Sequence, residues 1–287
     1  MKQFNIIGLM SGTSLDGLDV VYVNFKHDKF WKYEIINSKT YKYEKKWISF
    51  LKNISKQKIN SIIKIDKDYT KLLSEYILKF INEFSIKEID FVSSHGHTAL
   101  HQPSNSLTYQ IGNLPIFAKY INQKVVCDFR VQDLELGGQG APLVPVGEKY
   151  LFPEFDTLIN LGGFANITKK IKNNLIAYDI CPINIIFNHL SRIIKLEYDD
   201  KGDIASSGNI NKDLYNYLQR LDYYKLDPPK SLGIEWVNNY VYSILKNFNN
   251  ISIKDLMNTF SNHFAFQIAK NIGEQDQVLI TGGGAYN

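Results

Sequence analysis

Twice along the chain, a strand-like run of apolar residues breaks at a short glycine-rich polar loop and then resumes. Residues 4–10 are apolar, residues 11–19 form a Gly/Ser/Thr/Asp loop, and residues 20–25 return to β-branched and aromatic character, which predicts strand, loop, strand. A third strand is expected within residues 33–43. Farther on, Tyr69, Leu72, Leu73, Tyr76, Ile77, Phe80, Ile81 and Phe84 recur at alternating spacings of three and one, which lays them along one helical stripe. Short strands at residues 89–93 and 125–129 follow, with a helical segment at 115–120 between them.

The run Gly137-Gly138-Gln139-Gly140-Ala141-Pro142 has loop chemistry, because glycine admits backbone angles that other residues resist. A domain junction is expected here, dividing the chain into residues 1–145 and 146–287. The second part repeats the opening: a strand at 157–161, a turn at Gly162-Gly163, and strands at 165–169 and 175–178. Helical patterns follow, notably Ile253, Leu256, Met257, Phe260, Phe264 and Ile268, and a strand at 278–280 enters Gly282-Gly283-Gly284. The order predicts an α/β protein of two similar domains around a central cleft, where ligands prefer to bind. Chance recurrence of a β-rich opening in any α/β protein is the competing reading.

Composition narrows the function. With 287 residues, 44% of them hydrophobic, the chain can bury a sizeable core. Its net charge of +4 comes from 33 basic and 29 acidic residues spread along the sequence, so neither nucleic acid nor a membrane surface is an expected partner. The amino terminus lacks the features of a signal peptide, and no apolar run reaches spanning length. Only Cys127 and Cys181 are present, far apart and without metal-site spacing, which fits a reducing compartment and points to the cytoplasm.

The segment Gly8-Leu-Met-Ser-Gly-Thr-Ser-Leu-Asp-Gly17 carries the strongest chemical signal. Gly12, Thr13 and Ser14 place backbone N–H groups and two hydroxyls at one bend, which can wrap an anion. It is not a Walker A loop: the spacing differs, there is no lysine, and a strand follows instead of a helix. Asp16 and Asp19 would repel phosphate directly, so they suit a hydrated Mg²⁺ or local hydrogen bonds that fix the loop. An Asp-Gly hairpin turn explains Asp16-Gly17 equally. Gly162-Gly163 sits at the matching point of the second half, and Gly282-Gly283-Gly284-Ala285 would let a nucleotide approach the backbone closely.

Asp179 follows the strand expected at 175–178, where a general base belongs, although a turn or helix-start carboxylate before Pro182 fits the same pattern. Cys181 reads as a small packing residue. His95, His97 and His101 mimic a metal cluster, but no local carboxylate or cysteine completes it, so recognition of substrate hydroxyls or loop hydrogen bonding is preferred, with Thr98 alongside. Arg130 could clamp a carboxylate bidentately or pair structurally with Asp128.

Taken together, IGLMSGTSLDGLD, SSHGHTALHQP, QIGNLP, VVCDFRVQDLELGGQGAPLVP, LINLGGFANIT, YDICPIN, YDDKGDIASSG, DPPKSLG and ITGGGAYN resemble, in order, the anhydro-N-acetylmuramic acid kinases of the actin/hexokinase/Hsp70-like superfamily. The resemblance runs from about residue 4 to the last residue, with 26–90 and 209–227 diverged. It implies two actin-like ATPase (ribonuclease H-like) domains. It also implies that Gly12, Thr13, Ser14, Leu15, Asp16, Gly17, Leu18 and Asp19 bind the phosphates of ATP with Mg²⁺. It implies further that Gly162 and Gly163 supply a second phosphate loop, that Gly282, Gly283 and Gly284 contact adenosine, that Thr98 and Arg130 lie near the sugar, and that Asp179 is the base. The implied reaction opens 1,6-anhydro-N-acetylmuramic acid hydrolytically and phosphorylates it at O6 in murein recycling.

Two departures from the family pattern carry expectations. The family's approximate DTGPGN is Asp179-Ile-Cys-Pro-Ile-Asn184 here, which predicts slower turnover. Family chains also continue past GGGA[HY]N with a further strand, a helix and an acidic site residue. An unpaired sheet edge with reduced stability is therefore expected, unless a homodimer or another chain covers it. The alternatives are a nucleotide- or sugar-binding remnant without turnover, and a related kinase with a different small substrate.

Overall fold

Three strands in a row, β1 (Lys2–Ser11), β2 (Leu18–His27) and β3 (Trp31–Tyr41), form an antiparallel meander, with Ser11 paired to Leu18 and Leu18 to Tyr41. Helices α1 (Lys45–Lys52) and α2 (Ile59–Glu83) lead to β4 (Phe91–Ser94), which lies parallel to β1. Strands β5 (His97–Gln102) and β6 (Leu107–Ile111) make a separate two-stranded hairpin. After α3 (Ile116–Ile121), the two-residue β7 (Val125–Val126) joins β4 in parallel, and α4 (Phe129–Glu135) and α5 (Val144–Leu151) follow. The large sheet has the order β3-β2-β1-β4-β7.

The chain divides into two compact units, Met1–Leu151 and Phe152–Asn287. The second opens with another antiparallel meander, β8 (Thr157–Leu161), β9 (Phe164–Ile171) and β10 (Asn174–Pro182). It continues through α6 (Asn184–Ile193), α7 (Asp203–Ser206), α8 (Lys212–Gln219), α9 (Ile234–Trp236) and α10 (Ser243–Leu245), the last two joined by a π-helical turn at Val237–Tyr242. The long α11 (Ile253–Lys270) then precedes β11 (Val278–Thr281), parallel to β8. The sheet order β10-β9-β8-β11 repeats, in order and direction, the first four strands of the other sheet. The computed structural model describes every residue except Thr13, Ser14, Asp16, Pro103, Ser104, Asn173 and Pro229.

Each sheet buries one face under a long helix. In the first unit Ile7, Leu9, Leu18 and Val20 meet Ile62, Tyr69, Leu73, Ile77 and Phe80 of α2, whose buried positions fall at helical spacing. In the second, Ile159, Ile167 and Ile180 share a core with Ile186 and Leu190 of α6 and Met257, Phe260 and Phe264 of α11. Full burial of each such side chain contributes about 1.5–3 kcal/mol. Both α8 and α11 start where a side chain accepts a backbone N–H: Asn211 from Leu214 at 2.9 Å and Ser252 from Asp255 at 3.2 Å.

Several sequence expectations need correction. The expected strand at 125–129 is only Val125–Val126; Asp128, at φ 61°, turns the chain into α4, so Arg130 sits on a helix. Asp179 lies inside β10, which runs on to Pro182 with a break in register between Asp179 and Cys181. The β5–β6 hairpin, in the segment around the three histidines, was not anticipated. Among the described residues, no helix is long and apolar enough to cross a membrane.

Candidate functional site

In the first unit, Gly12, Leu15 and Gly17 are the described residues between β1 and β2. Leu15, at φ 61°, donates its N–H to the carbonyl of Gly12 over 3.3 Å. A Cβ on Gly17 would stand 2.5 Å from the carbonyl oxygen of Tyr41, so the close approach of β3 requires glycine there. Thr13, Ser14 and Asp16, expected phosphate-loop residues, lie outside the described residues. Leu18 is in the core, 1% exposed, so its backbone alone is left to face a ligand. Asp19 is exposed on β2, and its Oδ1 accepts a hydrogen bond from Thr40 of β3, its cross-strand neighbour, at 2.5 Å. Asp19 and Thr40 line a cavity of about 690 Å³ together with Met10, Ser93, His95 and Phe129.

His95 bridges this cavity to Arg130. The guanidinium donates through Nε to His95 Nε2 at 2.9 Å and through Nη1 to the carbonyl of Gly140 at 2.7 Å. Asp128 instead accepts from Asn113 at 3.3 Å and Cys127 at 3.4 Å, so the Arg130–Asp128 pair weighed from the sequence is not formed. Burial pushes the His95 pKa down, and the neighbouring Arg130 charge adds to this, while the contact of His95 Nδ1 with the Gly96 carbonyl, 3.0 Å, opposes it. The imidazole is therefore neutral, with the lone pair of Nε2 available to the arginine.

The three histidines go separate ways. His97 Nδ1 lies 2.9 Å from Ser11 Oγ, and His101 Nδ1 lies 3.2 Å from Thr108 Oγ1. Each of the three thus has a hydrogen-bond partner within the first unit, and among the described residues no group of three or more His, Cys, Asp or Glu could hold a metal ion. Thr98 follows His97 on β5 and is half-buried.

The second unit gathers its glycine motifs at one end of β8. The Gly163 carbonyl accepts from Ile183 at 2.8 Å and Ile185 at 3.3 Å, and that of Gly162 from Asn184 at 3.4 Å, so this turn closes onto the start of α6. Asn184 Nδ2 also donates to the Leu161 carbonyl at 3.2 Å. Gly282, at φ 87°, presses on the same residue: a Cβ there would meet the Leu161 backbone at 2.8 Å, and one on Gly284 would meet Leu161 at 2.9 Å. Gly283 has open space around it. Asn287 donates to the carbonyl of Asp199 at 3.2 Å, while the Asp199 carboxylate accepts from Ile204 and Ala205 at 2.8 and 3.0 Å. The segments LINLGG, DICPIN, YDDKGDIA and GGGAYN are thereby tied together.

Asp179 is held by a different segment. Its Oδ2 accepts from the backbone N–H of Leu232 at 2.8 Å, its carbonyl accepts from the Tyr223 hydroxyl at 2.6 Å, and its N–H donates to Lys230 O at 3.3 Å. Burial raises its pKa and the Leu232 N–H opposes this in part, leaving a net rise. It does not cap α6, whose N-cap is Ile183. Cys181 is fully buried in the apolar core, and burial pushes its thiol far up, which suits a packing residue. Sequence reasoning missed Thr40, Tyr223 and Leu232; the DPPKSLG motif was the available signal for the last.

Comparison with known proteins adds to this geometry. The family model described as anhydro-N-acetylmuramic acid kinase matches residues 4–287. An anhydro-N-acetylmuramic acid kinase of Bacillus cereus (strain ATCC 10987 / NRS 248) is 34% identical over 311 residues, covering 98% of this chain and 81% of the relative. One of Bacillus thuringiensis (strain Al Hakam) is 32% identical over 322 residues, covering 100% of this chain and 82% of the relative. With such a match over nearly its whole length, the chain belongs to the anhydro-N-acetylmuramic acid kinase family.

Proposed function

We propose that this chain is an ATP-dependent kinase that opens 1,6-anhydro-N-acetylmuramic acid with water and phosphorylates the freed O6, giving N-acetylmuramic acid 6-phosphate for murein recycling in the cytoplasm. The observation that carries the reading, beside the family match, is Asp179: a half-buried carboxylate with a raised pKa and no cation paired to it among the described residues. Structural carboxylates are usually pulled down by partners, whereas a general base is tuned upward toward neutrality.

In the reaction, Asp179 takes a proton from water as the water oxygen bonds to the anomeric carbon and the bond from that carbon to O6 breaks. O6 then bonds to the γ-phosphorus of ATP as the bridging bond to the β-phosphate breaks, and ADP leaves. The bend from Gly12 to Asp19 and the turn Gly162-Gly163 are assigned to the phosphates, Gly282–Gly284 to adenosine, and Thr98 and Arg130 to the sugar. Each unit is read as an actin-like ATPase domain. Asp19 keeps one carboxylate oxygen on Thr40 and is otherwise exposed, a donor set that suits a hydrated Mg²⁺ shared with phosphate. When bound, Mg²⁺ would neutralise phosphate oxygens.

A coupled ADP-release assay with the anhydro sugar tests this reading. Sugar-dependent ADP with a 6-phosphorylated product supports it. ADP release that ignores the sugar points to another substrate, and binding without product, unaffected by Asp179→Asn, points to a remnant.

A further inference from the structure

Ser11, the last residue of β1 before the Gly12–Gly17 bend, has its hydroxyl buried among three side chains distant in sequence. The Tyr43 hydroxyl oxygen lies 2.7 Å from Ser11 Oγ, that of Tyr69 on α2 lies 2.9 Å from it, and Nδ1 of His97, the first residue of β5, stands 2.9 Å away. The two phenol oxygens are 2.6 Å apart. A serine hydroxyl offers one proton and two lone pairs, so three partners exhaust it. All four side chains are buried. The His97 pKa is pushed down to about 4, chiefly by burial, so the ring is neutral, and Nδ1 shares one hydrogen bond with Ser11 Oγ whose direction follows the ring's tautomer.

An apolar cluster of this shape would pack the core without unpaired polar groups. What the polar network adds is direction, since fully satisfied buried networks fix one arrangement of the groups they join. Here it joins the entrance of the β1–β2 loop to the start of β5, where Thr98 is the next residue.

We propose that His97 is a positioning residue: through Ser11 it fixes the end of β1, after which the residues assigned to phosphate begin, against the start of β5 beside Thr98, without touching either substrate. This inference rests on the kinase reading for its consequence, though not for its geometry. A buried hydrogen bond at this point controls the angle at which the chain leaves β1, and misplacing phosphate-binding amides by an ångström lowers their contribution steeply.

The test compares wild type with His97→Phe, His97→Gln and Tyr43→Phe, the last removing one hydroxyl while keeping the ring. Hydrogen exchange of the amides at residues 12–18 is measured without ligand, and binding of a non-hydrolysable ATP analogue with Mg²⁺ is measured by calorimetry. In His97→Phe those amides should exchange at least about fivefold faster. Analogue binding should weaken about tenfold, and KM for ATP should rise more than kcat falls. His97→Gln, whose amide can still meet Ser11 Oγ, should recover most of the loss. Exchange and affinity within about twofold of wild type in His97→Phe would overturn the proposal, whatever Tyr43→Phe shows. Should wild type bind no analogue, the kinase reading fails, and the exchange rates alone decide whether His97 holds the loop.

Discussion

The backbone N–H of Leu232 donates to a carboxylate oxygen of Asp179 at 2.8 Å, although the two are 53 positions apart in sequence. With Tyr223 on the aspartate's carbonyl and Lys230 on its N–H, the segment from 223 to 232 fixes both the backbone and the carboxylate of one residue. Lys230 itself turns its ammonium to the carbonyls of Tyr223 and Leu226 and over the ring of Tyr223, 4.9 Å from its centroid, and makes no ion pair with Asp179. The segment thus withdraws Asp179 from water while withholding a countercharge, which is how a carboxylate comes to titrate high.

Asp179→Asn preserves size and an acceptor for Leu232 but cannot take a proton. Its kcat should fall about 10²–10⁴-fold with little change in KM for the sugar. Stability should move the other way. A folded carboxyl that titrates above its usual value of 3.8 weighs against the fold once ionised; the penalty is absent below 3.8 and complete when the pH exceeds the raised value. At pH 7 the variant should therefore melt no lower than wild type, and any advantage should vanish near pH 3.8. Parallel melts at both pH values check this, and a variant that loses both activity and melting temperature at pH 7 would point to a structural carboxylate.

Acid should weaken the fold well before the carboxylates protonate. His95, His97 and His263 all have pKa values lowered from 6.5 by burial, to about 4 for His97 and about 3 for His263. Their folded forms are neutral, while an unfolded chain takes up protons as the pH drops through 6.5. Their contribution is thus present above 6.5 and lost as pH falls toward the depressed values, by at most about 1.4 kcal/mol per pH unit per histidine. Urea denaturation at pH 7.5, 6 and 5 should show midpoints falling at each step. A flat profile would mean these rings are wetter than their surroundings imply.

Much of the fold was legible because its signals are local. The strand at residues 157–161 and the stripe from Tyr69 to Phe84 follow from side-chain period alone. Arg130 was misplaced because residues 125–129 look β-branched and aromatic, whereas the left-handed turn at Asp128 depends on contacts across the unit. The candidate site divides the same way. Glycine bends could be found from sequence, since Gly17 and Gly282 answer to backbone crowding. The partners of Asp19, Asp179 and Ser11 could not, because Thr40, Leu232 and His97 reach them through cross-strand register or loops distant in sequence.

His263 offers a gain in stability. The ring is buried on α11 between Tyr224, 4.9 Å away edge-on, and Phe264, and neither ring nitrogen has a hydrogen-bond partner among the described residues. Burying unpaired polar groups costs about 1–3 kcal/mol, and His263→Phe removes them while keeping an aromatic ring in an apolar core. Overpacking by the larger ring offsets part of this, so a net gain of about 1 kcal/mol in chemical denaturation is expected. The variant should also lose part of the acid sensitivity described above. A destabilised variant would show that the nitrogens are satisfied in solution, for instance by a buried water.

The two neighbouring glycines Gly282 and Gly283 separate backbone need from sequence habit. Gly282 enters the turn after β11 at φ 87°, and a Cβ there would stand 2.8 Å from the carbonyl carbon and oxygen of Leu161, atoms that cannot yield without disturbing β8. Gly283 has nothing within 4 Å and begins a 3₁₀ turn with helical geometry, where alanine is welcome. Gly282→Ala should cost about 1–3 kcal/mol in stability and raise KM for ATP, since the strained turn carries the proposed adenosine contacts. Gly283→Ala should stay within about 0.5 kcal/mol of wild type. If its KM for ATP nevertheless rises, Gly283 is kept for the approach of the nucleotide and not for the fold. If neither variant changes KM, the adenosine assignment for this turn is wrong even where the stability difference appears as expected.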